Sequence, residues 1–292
     1  MPSLLETLNA SPVLLYASAI FFGLAIGSFL NVVIHRLPLM MERDWREQCA
    51  ELAGEGKPQS ESETYNLWQP RSRCPTCGNG ISARDNIPVL SYLLQHGRCR
   101  NCQARIALRY PVVEILGAII AVMSVYKFGA SPAALGAAGL GWGLIALAGI
   151  DLDHHLLPDS ITMPLLWAGL IINLRGTYTP LQSAVIGAIA GYLILWTVYW
   201  AFKLVTGKEG MGYGDFKLLA ALGAWTGWQQ LPVIILLASA VGAILGITLI
   251  LTKRQERSQP IPFGPFLATA GWLALLCGDS IISAYQIGTG LH

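Results

Sequence analysis

The sequence has few charged residues: Asp, Glu, Lys and Arg make up only 12% of its 292 residues. Hydrophobic residues make up 53%, which is far more than the core of one soluble domain requires, and this excludes an ordinary soluble protein. The net charge of +2 gives no sign of a nucleic-acid partner, and we expect none. The composition predicts an all-α polytopic membrane protein that lies in a lipid bilayer.

Several familiar patterns are also missing. Residues 1–12 carry no Lys or Arg before the first apolar segment, so we expect no cleavable signal peptide and a first segment that remains as an anchor. The nucleotide-binding patterns GxGxxG and Walker A are absent, which argues against a dinucleotide or P-loop site. The zinc-protease pattern HExxH is absent too, which argues against that class of metalloprotease.

Long apolar segments recur along the chain and predict about eight transmembrane helices. They cover approximately residues 13–34, 111–128, 132–150, 160–174, 182–204, 215–229, 231–252 and 263–286. In this topology all of the 19 Lys and Arg except Lys127 and Arg175 fall on one side of the membrane, including Lys253, Arg254 and Arg257. Because basic residues concentrate in cytosolic loops, that side is predicted to be the cytosol and both termini lie outside it.

Small and polar residues give two further expectations for these helices. Three GxxxG pairs predict close helix packing: Gly23 and Gly27, Gly187 and Gly191, and Gly242 and Gly246. The polar groups in residues 27–38 predict that the first helix ends near the membrane interface. Residues 42–69 then read as a short amphipathic helix followed by a loose connector.

Two CxxC motifs lie in residues 39–110, the largest soluble segment. Cys74 and Cys77 form the first, and Cys99 and Cys102 form the second. Two such knuckles are typical of a tetrahedral zinc site, in which four thiolates leave no open position for water. A pair of disulfides is the alternative, although cytosolic thiols stay reduced. We therefore predict a small cytosolic zinc-binding domain between the first two helices, with no metal role for Cys49 and Cys277.

Acidic residues at the ends of apolar segments are the candidate catalytic groups. Asp215 closes the motif Gly212-Tyr213-Gly214-Asp215, and Asp151 begins a segment that also contains Asp153 and Asp159. In the predicted topology both segments end on the cytosolic side, where two carboxylates can share a proton and activate water. The spacing alone does not choose among Asp151, Asp153 and Asp159 for the first acid.

The sequence also permits other interpretations of these acids. In the simplest interpretation the acids are solvated helix ends. In a second they bind a metal ion together with His154 and His155, and in a third they relay protons in a proton-coupled transporter. Glu114 is either a helix-end charge that reaches the interface or a functional group facing the bundle. Asp279 is expected near the outer interface rather than in a catalytic site.

Taken in order, several motifs resemble those of the bifunctional type IV prepilin leader peptidase and N-methyltransferase family. The resemblance covers nearly the whole chain. Its motifs are Gly27-Ser28-Phe29-Leu30-Asn31, the two CxxC knuckles, Arg109-Tyr110-Pro111 with Glu114, the segment Asp151 to Asp159, the segment Gly207 to Asp215, and Pro262-Phe263-Gly264-Pro265.

The resemblance implies a membrane-embedded aspartic protease of the GxGD class, with Asp151 and Asp215 as catalytic acids. It implies cleavage of the basic leader from type IV prepilins and type II secretion pseudopilins after Gly. The new N-terminal residue, usually Phe, would then be methylated with S-adenosylmethionine as the donor, and Gly97 is associated with that step. A peptidase-only member of the family is the alternative.

The same resemblance implies a location and a domain plan. The location is the bacterial inner membrane, with periplasmic termini and an active site facing the cytosol. The plan has the first transmembrane helix in residues 1–38, a zinc-binding domain associated with methyl transfer in residues 39–110, and a seven-helix peptidase domain in residues 111–292.

Overall fold

The chain folds into helices joined by short loops, as seen in a computed structural model. The structure describes residues 4–54, 65–252 and 261–289. Within these ranges no strand forms, and only two isolated β-bridges occur. Because six helices in these ranges are also long and apolar enough to cross a membrane, the chain is an all-α polytopic membrane protein. It divides into two compact units, Met1–Val125 and Tyr126–His292.

The first unit is built on two long helices. It contains α1 (Leu4–Ala10), α2 (Pro12–Leu52), a 3₁₀ turn (Ala83–Asn86), α3 (Leu90–Leu94) and most of α4 (Arg109–Phe128). Helices α2 and α4 approach closely at small residues: a Cβ added to Gly23 would lie 2.6 Å from the Cα of Ala118, and one added to Gly27 would lie 2.6 Å from the Cα of Glu114. The close helix packing predicted from the Gly23 and Gly27 pair is therefore confirmed.

The prediction that the polar groups in residues 27–38 end the first helix is wrong. Helix α2 runs on through Pro38 to Leu52, a 41-residue helix about 60 Å long. Residues 39–52 are mostly Leu, Met, Glu and Arg, which favour helix, so the polar groups do not stop it. Arg36 is buried instead, and its guanidinium donates to the carbonyls of Asn66 (2.9 Å) and Pro70 (2.5 Å). The predicted amphipathic helix is the last part of α2, whereas much of the predicted connector lies outside the described residues.

The described residues of the second unit form a bundle of six helices. They are α5 (Pro132–His154), α6 (Asp159–Asn173), α7 (Leu181–Thr206), α8 (Tyr213–Thr226), α9 (Leu231–Leu251) and α10 (Gly264–Thr289), with a 3₁₀ turn at Trp228–Gln230. Lys253, Arg254 and Arg257, which the charge rule placed in the cytosol, lie outside the described residues.

Helix α8 forms the core of this bundle. From Asp215 to Thr226 every residue except Lys217 is buried, because α6, α7 and α10 pack around it. At its C-terminal end, the buried amide of Asn173 donates to the carbonyls of Ala224 (2.9 Å) and Trp225 (3.1 Å), which would otherwise lack partners. Gly187 of α7 lies directly against the backbone of Gly223. The short helix that carries Asp215 is therefore firmly held.

A helix occupies each of the eight predicted spans, but the helices differ in length. Six helices within the described ranges are long and apolar enough to cross a membrane. The fourth and sixth spans correspond to α6 and α8, which have only 15 and 14 residues. Helix α8 ends before the predicted residue 229 because Gly227 adopts φ 83° and has no room for a side chain beside Ser183 and Thr179.

Candidate active site and metal centre

Asp151 lies in the last turn of α5, which ends at His154. The next residue, His155, adopts a left-handed conformation (φ 53°, ψ 40°), and its amide donates to the carbonyl of Asp151 at 3.0 Å. This C-terminal arrangement closes the helix and leaves the Asp151 side chain buried, with only 6% of its surface exposed. A carboxylate at this depth requires polar partners.

The neighbouring acids have different surroundings. Asp153, His154 and His155 are exposed. Asp159 begins α6, is also exposed, and forms an ion pair with Lys217 at 2.7 Å. Among the described residues, the only group that brings three or more potential metal ligands together consists of cysteines, so these acids and histidines do not converge on a metal site. Burial therefore distinguishes Asp151 from the two rival acids.

Asp215 lies in the first turn of α8, directly after the glycine-rich segment. Its side chain is also only 6% exposed. Its Oδ1 is buried and has no hydrogen-bond partner within the described part of the chain. Gly214 gives the chain room here, since a Cβ at this position would lie 2.7 Å from the Cβ of Leu157. An unpartnered buried carboxylate oxygen is costly for stability and is typical of a functional group.

The start of α10 completes this site. Its first residue, Gly264, donates its backbone N–H to Oδ2 of Asp151 at 3.0 Å. The side chain of Leu157 lies next to both Gly264 and Gly214, so the end of α5 and the starts of α8 and α10 meet. The structure thus brings together the two acids that the sequence singled out.

A polar and aromatic cluster supports the loop before Asp215. The Lys203 ammonium donates hydrogen bonds to the Glu209 carboxylate (2.8 Å) and to the Tyr199 hydroxyl (3.2 Å). The hydrogen bond from Lys203 lowers the pKa of the Glu209 carboxyl. Tyr213 packs on buried Tyr199 with ring centroids 5.2 Å apart. Sequence reasoning missed Tyr199, Leu157 and the role of Lys203, and only their spacing from the glycine-rich segment could have suggested them.

The four motif cysteines of the first unit come together. Their sulfur atoms lie within 4.8 Å of one another, and the Cys74 and Cys102 sulfurs are 3.8 Å apart. A tetrahedral ion with metal–sulfur bonds of about 2.3 Å has sulfurs about 3.8 Å apart, whereas a disulfide needs about 2 Å. All four are free thiols, so the disulfide alternative is not supported and the cluster can hold a metal ion.

The two knuckles repeat one backbone pattern. In the first, the amide of Cys74 donates to Asn79 (2.9 Å) and the amide of Gly78 donates to Cys74 (2.9 Å). In the second, Cys99 donates to Ala104 (2.8 Å) and Gln103 donates to Cys99 (2.9 Å). Amides of Cys77 and Thr76 also lower the pKa of the Cys74 thiol, whereas burial and hydrogen bonds to the other three cysteines raise the pKa of the Cys102 thiol. Cys49 and Cys277 are not part of this cluster.

Gly97 lies just before the second knuckle, where the backbone turns with φ 66°. Its amide donates to the carbonyl of Tyr92 (2.9 Å), and a Cβ here would lie 2.7 Å from the Tyr92 hydroxyl oxygen. Tyr92 in turn lines a cavity of about 710 Å³ within the first unit. A side chain at position 97 would therefore displace a wall of that cavity.

Glu114 and Asp279 are both held by hydrogen bonds. Glu114 is buried (8% exposed) on α4, so it does not reach outward as a helix-end charge, and its Oε2 accepts a 2.7 Å hydrogen bond from the amide of Val89. Asp279 of α10 accepts a 2.8 Å hydrogen bond from the side chain of Gln230.

Comparison with known proteins gives matches across most of the chain. Residues 21–128 match the Bacterial Peptidase A24 N-terminal domain, and residues 138–247 match the Type IV leader peptidase family. Proteins named prepilin leader peptidase/N-methyltransferase are similar over nearly their full length. That of Aeromonas salmonicida (strain A449) is 57% identical over 98% of both chains, that of Aeromonas hydrophila 55% over 98% of both, and that of Pseudomonas aeruginosa 52% over 97% of both. No solved structure matches the chain significantly.

Proposed function

The chain belongs to the type IV leader peptidase family, and from this we propose that it cleaves the basic leader from type IV prepilins and type II secretion pseudopilins after Gly, and then methylates the new N-terminal residue. The names of its relatives support both activities, since they join a leader peptidase to an N-methyltransferase. The observation that carries the first activity is the pair of buried carboxylates, Asp151 and Asp215.

The peptidase step uses these two acids on one water molecule. Asp151, whose charge is stabilised by the Gly264 amide at a helix N-terminus, acts as the general base. Asp215, which has an unpartnered oxygen in an apolar environment, carries the shared proton and polarises the scissile carbonyl. The proton then passes to the leaving amine, and neither acid becomes covalently attached to the substrate.

The methylation step belongs to the first unit in this proposal. S-adenosylmethionine supplies an electrophilic methyl group when bound. Cys74, Cys77, Cys99 and Cys102 hold one structural Zn²⁺, whose fit is supported by the sulfur spacing. A soluble segment this small has little apolar core, so the ion supplies part of its stability. Gly97 maintains the cavity wall through its contact with Tyr92.

We place the protein in the bacterial inner membrane. The excess of Lys and Arg between the predicted spans supports periplasmic termini and an active site facing the cytosol. The domain plan of residues 1–38, 39–110 and 111–292 is part of this proposal. A prepilin leader, which is basic, would stay among anionic lipid headgroups on that side while its apolar helix lies in the bilayer.

The experiment that tests this function is incubation of the purified, detergent-solubilised chain with a synthetic prepilin, followed by mass spectrometry. Loss of the leader after Gly and a gain of one methyl group on addition of S-adenosylmethionine are expected. Cleavage without methylation would indicate a peptidase-only enzyme. If the chain cuts no bond in the prepilin and instead carries a solute together with protons across vesicle membranes, it is a transporter and the proposal is wrong.

A further inference from the structure

The cavity in the first unit has walls of two kinds. One part comes from the knuckle region, including Cys74, Thr76 and Asn101. The other part comes from α2 and α4, both candidate membrane spans, through Ser28, Asn31 and Glu114. Its volume of about 710 Å³ lies within the range of small-molecule sites. A molecule in this cavity would therefore touch both the cysteine cluster's surroundings and two membrane helices.

Two carboxylates line the cavity, and they are held differently. Asp85 accepts hydrogen bonds from Ser82 (2.7 Å), Gln95 (3.2 Å) and Arg100 (3.2 Å), so its charge is already balanced. Glu114 accepts hydrogen bonds from the backbone amide of Val89 and from the side chain of Ser28, both of which are uncharged, and no ion pair with it occurs within the described residues. A buried carboxylate without a cation is suited to bind one.

The backbone beside Glu114 is also unusual. Val89 adopts φ 59°, which a β-branched residue seldom does, and its amide points to Glu114. Residue 89 immediately precedes α3, which carries Tyr92 of the cavity wall. Strained backbone of this kind is concentrated at functional sites. The carboxylate and the cavity wall are therefore fixed relative to each other.

We propose that Glu114 binds the α-amine that is to be methylated and takes its proton. The inference rests on the methyltransferase function proposed above. The amine begins an apolar helix that stays in the membrane, so it must enter the cavity from the side of α2 and α4, where Glu114 lies. An α-amine has a pKa of about 8 and is mostly protonated at neutral pH, and the ammonium form has no lone pair to react.

The step balances with the groups named. Glu114 accepts a proton from the ammonium, which leaves a neutral amine and a protonated carboxyl. The nitrogen lone pair forms the bond to the methyl carbon of S-adenosylmethionine, while the carbon–sulfur bond breaks and its electron pair stays on sulfur. The sulfonium becomes a neutral thioether, the product is a methylated ammonium, and Glu114 then releases its proton to water.

Other titratable and charged groups also face this part of the cavity. They are His35 and Arg36 of α2, Tyr110 of α4, and from the intervening segment Tyr65, Cys74, Asp85, Tyr92 and Cys99 with Arg71, Arg73, Arg100 and Arg105. Arg36 and Asp85 are engaged by the hydrogen bonds given above. Among the cavity groups, Glu114 is thus the buried acid that an ammonium can pair with.

The test uses the full-length chain in detergent and a synthetic peptide with the sequence of a cleaved pseudopilin N-terminus, so that no peptidase step is needed. Glu114→Gln keeps an oxygen for the Val89 amide but cannot take a proton. We expect its rate of methyl transfer at pH 7 to fall by about 100-fold or more. Leader cleavage of a full prepilin and calorimetric binding of S-adenosylmethionine are expected to stay unchanged.

The pH profile separates a chemical role from a structural one. Because the amine loses its proton unaided above pH of about 8, the Glu114→Gln rate should recover towards pH 9, and Glu114→Asp should restore part of the rate at pH 7. Glu42→Gln, on the exposed part of α2, is the matched control and should have no effect.

Two results would overturn the assignment. One is methyl transfer by Glu114→Gln at the unmodified rate, and the other is a defect of equal size at every pH, which a structural role would produce. If the unmodified chain transfers no methyl group to the peptide at all, the proposed methyltransferase function fails and this inference fails with it.

Discussion

The backbone amide of Gly264 donates a 3.0 Å hydrogen bond to Oδ2 of Asp151. The two residues are 113 positions apart in sequence, and the bond joins the end of α5 to the start of α10. It places a carboxylate at the positive end of a helix dipole, which stabilises its charge. The same contact leaves no space for a side chain at position 264.

Gly264→Ala is predicted to abolish most leader cleavage. A Cβ there would lie 2.6 Å from Asp151 Oδ2, so the carboxylate must move, and a displacement of about 1 Å costs about 100-fold in rate. The rate of prepilin cleavage measures this, and methyl transfer to a cleaved peptide should persist.

The matched control for that change is Gly139→Ala in α5. A Cβ at Gly139 meets nothing within 4 Å, so this variant should cleave normally and gain about 0.5–1 kcal/mol in helix stability. Equal loss of cleavage in both variants would contradict the role of the Gly264 contact.

Asp159→Asn is predicted to leave cleavage nearly unchanged. Asp159 is exposed and pairs with Lys217, and an exposed ion pair contributes only about 0–1 kcal/mol. A thermal melt and a cleavage assay on the same sample check this expectation. A large loss of cleavage in a folded variant would return Asp159 to the list of catalytic candidates.

Gly97→Ala is predicted to impair methyl transfer, by up to about 100-fold, because the new Cβ would push on the Tyr92 ring in the cavity wall. Gly54→Ala is the matched control. Gly54 has a similar φ of 70° but meets nothing within 4 Å, so both variants bear the same backbone cost of about 1–2 kcal/mol. Similar methyl transfer by the two variants would show that the Tyr92 contact is irrelevant.

Cys77→Ser is predicted to remove the metal. Elemental analysis should find about one zinc per unmodified chain and almost none in the variant, because a structural site needs all four thiolates. Methyl transfer should be lost with the stability of the first unit, while cleavage remains because Asp151 and Asp215 lie in the second unit. Cys49→Ser, which lies outside the cluster, is the control and should keep its zinc. If Cys77→Ser retains zinc, Cys77 is not a ligand of the metal and the four-cysteine site is wrong.

Part of this site could be predicted from the sequence because its signals are local. The two CxxC motifs predicted a four-cysteine cluster, and the structure assembles it. The acids at the ends of apolar segments predicted a pair, and Asp151 and Asp215 are both buried in one unit. The spacing of the acids did not choose Asp151 over Asp153 and Asp159, and the family resemblance made that choice; the burial of Asp151, which a run of acids in sequence does not reveal, supports it.

Other features depend on distant contacts and could not be predicted. The bond from Gly264 to Asp151 requires the packing of α10 on α5. The hydrogen bonds from Arg36 to the carbonyls of Asn66 and Pro70 join α2 to a segment that lies 30 or more positions further along the chain. In both cases the local sequence permits several outcomes, and tertiary contacts select one.

The most direct test of the account compares prepilin cleavage by Asp151→Asn, Asp215→Asn and Asp153→Asn, each checked for folding by its melting temperature. Asn keeps the size of the side chain but cannot exchange a proton. The account predicts that the first two variants fold and lose at least about 1,000-fold in cleavage rate, while Asp153→Asn cleaves normally. Cleavage near the unmodified rate by folded Asp151→Asn or Asp215→Asn would contradict the two-aspartate mechanism.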